Sequence, residues 1–228
     1  MKQEKKPFTI VIPIYEGVDL MDVAAPREIF NWMGQKTDQY DITIYCVAET
    51  CDILHTRDGM VIGPDAVFTD DHVQCADLIW VPGGSVEALE AMLPQPDLPF
   101  FNYIKKISED ATWITSVCEG ALLLANTGLL KGHTVTTHWA FYPCMSKFEG
   151  VTLVSDYPRY VKSGNRVTGG GISSGIDEAL YLVELICEKA TAVEVQETIQ
   201  YFPKPPVTGS ITPATSCPVS TWFDEDAC

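Results

Sequence analysis

The chain has 228 residues, 46% apolar and 20% charged, which excludes a disordered, collagen-like or fibrous polypeptide and leaves length for a substantial core. Fifteen Lys and Arg against 31 Asp and Glu give a formal charge of −16, so the surface repels phosphate backbones and anionic headgroups, and neither nucleic acid nor a membrane is an expected partner. No apolar run approaches the ~18 residues of a spanning helix, and the acids are dispersed apart from the run Asp224, Glu225 and Asp226.

Lys2, Lys5 and Lys6 precede an apolar segment in the outline of a signal peptide. Pro13 interrupts it and no small-residue cleavage site follows, so residues 8–14 (FTIVIPI) read as a first core strand. Residues 20–33 carry helical apolar spacing, with Pro26 near the start. A second strand is expected at 41–47 (DITIYCV), and a hairpin excursion at 60–62 after the Asp58-Gly59 turn signal. Residues 78–81 (LIWV) are wholly apolar and stop at Pro82-Gly83-Gly84, the pattern of a buried parallel strand feeding a tight loop. Residues 112–117 (TWITSV) repeat the device and run into Cys118; 119–126 (EGALLLAN) are helix-like, and Gly128 supplies the stop. Short strands are expected at 133–137, 151–154, 159–161 and 166–168, a long helix at 173–188 and another at 190–201.

This alternation predicts an α/β fold with a mostly parallel central sheet covered on both faces, in one domain over 1–228. From about residue 202 the composition turns to Pro, Ser and Thr, a tail that either wraps the domain or is partly mobile. The eight cysteines, at 46, 51, 75, 118, 144, 187, 217 and 228, include no C-x-x-C pair and no His at zinc spacing. They read as reduced cytosolic thiols, most of them small buried hydrophobes, with neither a disulfide framework nor a metal site expected.

Open parallel sheets bind ligands outside the carboxyl ends of their strands, so the residues just after each strand are the ones to search. Cys118, in Ser116-Val117-Cys118-Glu119-Gly120, joins an apolar strand to an apolar helix, the context of a nucleophile elbow. A helix N-terminus beneath it would favour the thiolate; the competing reading is a buried structural cysteine. Gly83-Gly84 can turn backbone N–H groups toward a reacting atom. Asp22 stands among apolar residues near a helix start, where it either caps the helix or, desolvated, acts as a proton donor and acceptor. Glu16 is its rival in a more open loop. Glu119, directly after the cysteine, is a third candidate carboxylate whose side chain either faces the thiol or points away while its N–H helps stabilise the intermediate. His138, followed by Trp139, either pairs with Cys118 as a base or is hydrogen-bonded at a strand end. The run from Thr168 through Gly169, Gly170 and Gly171 has no phosphate-loop ending and reads as close backbone packing beside the cysteine.

Val81-Pro82-Gly83-Gly84, Ser116-Val117-Cys118-Glu119-Gly120-Ala121, Thr136-Thr137-His138-Trp139 and Thr168-Gly169-Gly170-Gly171 with Gly175-Ile176-Asp177 resemble, in order and spacing, the ThiJ/PfpI superfamily. Within it the chain looks most like the isocyanide hydratase branch and the related sensor domains of AraC-type regulators; 20–26 and the Pro-Pro stretch at 205–206 are similar to that branch as well. The resemblance implies a flavodoxin-like three-layer sandwich and a cytoplasmic homodimer without metal or organic cofactor. It makes Cys118 the nucleophile and Asp22 the general acid/base, places the N–H groups of Gly84 and Glu119 at the reacting centre, and puts Glu16, His138, Trp139 and Gly171 around it. The implied activity is a cysteine-dependent hydratase converting a small apolar isocyanide to the N-formamide through a thioimidate. The alternatives are a non-enzymatic small-molecule or redox-sensing protein of the same fold, or an amidase- or glyoxalase-like hydrolase. Two departures bear on this: Glu119 stands where the hydratase branch has Thr, which raises the cysteine pKa unless Glu119 turns outward or is protonated, and Ala24-Ala25 replaces its Thr-Gly. The peptidase branch has His after its cysteine, so Glu119 argues against proteolysis. Retention of Cys118, and a length that leaves no room for a DNA-binding module, favour an enzyme over a regulator.

Overall fold

The computed structural model describes residues 4–219, so Lys2, Cys228 and the run Asp224, Glu225 and Asp226 lie outside the described residues. The chain opens with β1 (Lys6–Pro13), α1 (Leu20–Lys36) and β2 (Tyr40–Ala48), then makes the hairpin β3 (Leu54–His55) and β4 (Val61–Ile62) and a short β5 (Ala66–Val67). It continues through β6 (Leu78–Val81), α2 (Val86–Met92), α3 (Pro99–Ile107), β7 (Trp113–Ser116) and α4 (Gly120–Asn126). The last part comprises β8 (Thr134–Val135), α5 (Tyr142–Met145), β9 (Thr152–Leu153), β10 (Tyr160–Ser163), β11 (Arg166–Gly169), α6 (Ser174–Cys187) and α7 (Lys189–Thr198).

Seven strands form one sheet in the order β10-β11-β7-β6-β1-β2-β5, parallel throughout except for the antiparallel edge strand β10. Successive strand residues face opposite sides, so full burial of Leu78, Ile79, Trp80 and Val81 means that both faces of β6 are covered. Helices α1, α6 and α7 pack on one another, and α4 packs on β6 and β7. The expected α/β architecture and its flavodoxin-like order are therefore present. From β1 the chain winds outward through β2 and β5, then returns to the other side of β1 as β6. That reversal opens a crevice at the carboxyl ends of β1 and β6.

Several details differ from the sequence reading. Strands β8 and β9 pair with each other in a separate two-stranded sheet. Helices α2 and α3 fall in a stretch where the prolines at 94, 96 and 99 hide any continuous period; Pro99 in fact opens α3, which buries Phe100, Phe101, Tyr103, Ile104 and Ile107. Most of the described cysteines are buried, as expected, but the expectation of uniformly reduced thiols needs correction. Cys144 and Cys217 form a disulfide with Cα atoms 4.8 Å apart, and Cys51 and Cys75 are exposed, while Cys46, Cys118 and Cys187 are buried. A pair separated by 73 residues is invisible to local spacing; it forms because the tail folds back onto α5. Residues 203–219 have no helix or strand and make no backbone–backbone hydrogen bond to another described residue.

Candidate active site

Cys118 follows β7 with φ of 58°, a left-handed conformation that costs a non-glycine residue on the order of 1–3 kcal/mol. Three contacts hold it there. Cys118 N donates to Gly170 O at 2.9 Å, Thr137 Oγ1 donates to Cys118 O at 2.7 Å, and Ile172 N donates to Sγ at 3.4 Å. Gly120 completes the elbow, because a Cβ there would overlap Val81 O and push α4 off β6.

Two carboxyls converge on the sulfur. Asp22 is fully buried in the first turn of α1; its Oδ2 accepts from Gly83 N at 2.9 Å, and its Oδ1 has no hydrogen-bond partner. The helix cap is Asp19 instead, whose Oδ1 accepts from Met21 N at 3.0 Å, so Asp22 is free for other work. Glu119 is only 2% exposed and turns inward, which decides between the two directions that the sequence leaves open, and its Oε2 is also unpaired. Cys118 Sγ and one oxygen of each carboxyl all lie within 4.8 Å of one another. The inward turn is possible because residue 83 is glycine: a Cβ there would overlap Glu119 Oε2 and stand 2.8 Å from Cys118 Cβ.

Burial dominates the electrostatics. It pushes the Asp22 carboxyl well up, helped by the charges of Asp19 and Glu119 and opposed by the Gly83 N–H. Glu119 is raised for the same reason, against the pull of Arg57. Cys118 is pushed well up by burial and then by Asp22 and Glu119, which outweigh the N–H of Ile172. The thiolate expected from the helix terminus is thus not the resting form, since burial and two acids oppose it. All three shifts favour the neutral, proton-carrying forms of these groups. The donor set, two carboxyls and a thiol, is also one that could ligate a divalent cation.

Arg57, delivered by the β3–β4 turn, pairs with Asp19 at 3.4 Å, and Arg57 N donates to Val18 O at 2.9 Å. Nothing in the local sequence marks Arg57 for this position. Tyr15 forms the adjoining wall, its hydroxyl donating to Pro82 O at 3.2 Å.

The other expected residues are divided between places. Gly84 N does not meet the carboxyls; Gly84 packs against Gly17 O and the Tyr15 hydroxyl, and the amide aimed at Asp22 is that of Gly83. Glu16 lies away from Cys118, accepting from His55 N at 2.9 Å beside a separate apolar cavity that includes Phe68 and Phe100. His138 makes no hydrogen bond with Cys118. Its Nδ1 accepts from Ala140 N at 3.2 Å, which puts the proton of the neutral ring on Nε2, and burial and then Arg57 hold the ring below its ordinary pKa. His138, Trp139 and Gly171 line a cavity of about 370 Å³ together with Thr137, Gly170 and Ile172. Gly171 is required there, because a Cβ would overlap the His138 ring.

A cysteine at a strained strand-to-helix turn, set at the switch point of a parallel sheet, has the geometry of an elbow on a flavodoxin-like fold. The family model of the DJ-1/PfpI family matches residues 8–185, and the chain belongs to that family. It is 33% identical to an isonitrile hydratase of Pseudomonas putida over 194 residues, covering 85% of this chain and 78% of that protein. A ThiJ/PfpI family protein from Pseudomonas syringae superposes with a TM-score of 0.77 at 29% identity, over 89% of this chain and 78% of that one. Drosophila melanogaster DJ-1beta shares the fold with a TM-score of 0.71 at 17% identity, over 86% of this chain and 98% of that one.

Proposed function

We propose that the protein is a cytoplasmic, cysteine-dependent hydratase, one domain over 1–228, that adds water to a small apolar isocyanide and releases the N-formamide. The observation that carries this reading is Asp22: buried, fixed through one oxygen by Gly83 N–H, with its other oxygen unpaired in the cluster with Cys118. The similarity to the isonitrile hydratase supports it.

An isocyanide R–N≡C is neutral and needs a nucleophile and a proton at the same carbon. Asp22 gives its proton to that carbon as Cys118 sulfur bonds to it, forming the thioimidate R–N=CH–S. Asp22 takes up the thiol proton as it gives its own to the carbon, so it is a carboxylic acid again once the thioimidate has formed. Water then adds to the carbon as Asp22 gives its proton to the nitrogen and takes one from the water. Collapse breaks the C–S bond, leaves R–NH–CHO and returns a proton to sulfur, so the sum is isocyanide plus water. A cluster that favours neutral, proton-carrying groups suits this sequence. It suits a redox sensor less, because sensing thiols are exposed and low in pKa, while Cys118 is 0% exposed and pushed up.

The active form on this reading is a homodimer; Ile53, Met60 and Val61 on the hairpin are 65%, 53% and 62% exposed, an apolar face suited to a second copy.

The test is formamide production from an aryl isocyanide by protein in both its reduced and its disulfide forms. Cys118→Ala should abolish turnover, and Asp22→Asn should lower it by about 100-fold or more. Wild type inactive in both forms would sink the hydratase reading.

A further inference from the structure

Cys118 is fully buried, so any reagent must reach it through the space beside it. The groups hydrogen-bonded to Cys118 N, O and Sγ belong to Gly170, Thr137 and Ile172, and all three residues line the 370 Å³ cavity. One further wall comes from far away in sequence: Ile211, in the Pro-rich tail. That tail has no backbone–backbone hydrogen bond to other described residues over 203–219, and its covalent tether is the disulfide from Cys217 to Cys144. Cys144 lies in α5, directly after the turn that carries His138 and Trp139, which line the same cavity. Beyond the tether, Val219 is fully buried.

We infer that Cys144 and Cys217 form a thiol–disulfide exchange site that controls access to Cys118: the disulfide holds the tail strap and Ile211 over the cavity, and reduction releases them. The co-reactant is a dithiol. Cys144 is 0% exposed and Cys217 is partly exposed, so the attacking thiolate meets the Cys217 sulfur. That attack forms a mixed disulfide with Cys217 and expels Cys144 as a thiolate, which is then protonated. The second thiol of the reductant attacks the mixed disulfide, leaving Cys217 reduced and the reductant as a cyclic disulfide. Two electrons and two protons pass from the dithiol to the protein. Without the bond, nothing in the backbone of 203–219 holds Ile211 in place.

The test reads access rather than turnover, so it stands or falls separately from the hydratase reading. Full-length protein is prepared oxidised, or reduced with dithiothreitol and desalted without oxygen, and pulsed with N-ethylmaleimide. Mass spectrometry of the Cys118 peptide gives the labelling rate, with exposed Cys51 and Cys75 as internal references. Reduction should speed Cys118 labelling about tenfold or more, as expected for removing one local opening barrier. Cys217→Ser should label at the reduced rate with or without dithiothreitol, and Ile211→Gly should label fast even when oxidised. Three results would overturn the proposal: equal rates in the two redox states, no Cys118 labelling in either, or free Cys144 and Cys217 thiols in the air-oxidised protein.

Discussion

Glu119 folds its carboxyl over the Cα of Gly83, in the space a side chain at 83 would fill. The contact decides the character of the site, because it keeps a second acid against Cys118, where an outward Glu119 would have left one.

Neutralising that acid should therefore act on the sulfur. In Glu119→Gln the burial of Cys118 remains but one of its two raising charges is gone, so the midpoint of its alkylation pH profile should fall by about one unit. An unchanged midpoint would show that Glu119 does not influence the thiol.

Gly83→Ala tests the contact itself. The new methyl must displace the Glu119 carboxyl and crowd Cys118 Cβ at 2.8 Å. Urea unfolding should report a loss of about 1–3 kcal/mol. Pairing it with Glu119→Ala should restore part of that loss, because the contacts at 2.8 Å with Cys118 Cβ and Glu119 N remain. If the double variant is no more stable than Gly83→Ala, the two residues do not share this space.

Glu178 offers a pH-dependent prediction. Its carboxyl is fully buried against Gly169, neither oxygen has a partner, and burial raises its pKa well above the ordinary 4.5, with the Asp22 charge adding to the effect. The folded chain keeps this proton after the unfolded chain has lost it. The stability it contributes is thus complete below about pH 4.5 and declines as pH rises toward the folded value, by up to about 1.4 kcal/mol per pH unit. Glu178→Gln stays neutral, so its melting temperature should exceed that of wild type by a margin that widens from pH 5 to pH 8. A constant margin would contradict this assignment.

Arg57→Gln removes a charge that lowers both Glu119 and His138. The Arg57–Asp19 pair is 40% exposed on the arginine side but only 8% on the aspartate side, so leaving Asp19 without its partner should cost about 1–3 kcal/mol. The His138 titration, followed by its ring proton resonances, should move upward. A downward move would place Arg57 away from the ring.

How far the primary structure could be read depended on how local each feature is. Runs such as 78–81 and 113–117 are apolar enough to be buried strands wherever the chain goes, and turns ending in Gly83-Gly84 and Cys118-Glu119-Gly120 mark their carboxyl ends. Strand periodicity, the elbow and the candidates Cys118 and Asp22 were thus legible, because each rests on spacings of a few residues. The helices between 86 and 107 were hidden by their prolines.

Tertiary structure alone decided what these residues face. Whether Glu119 turns in or out depends on a glycine 36 positions earlier; Arg57 reaches Asp19 because a hairpin docks on the loop after β1; and Cys144 meets Cys217 across 73 residues. Side-chain direction, burial and charge pairing are set by groups distant along the chain. The order of residues therefore determined the sheet, the elbow and the acidic surplus, while packing determined that two of those acids stand, buried and with raised pKa values, beside the sulfur.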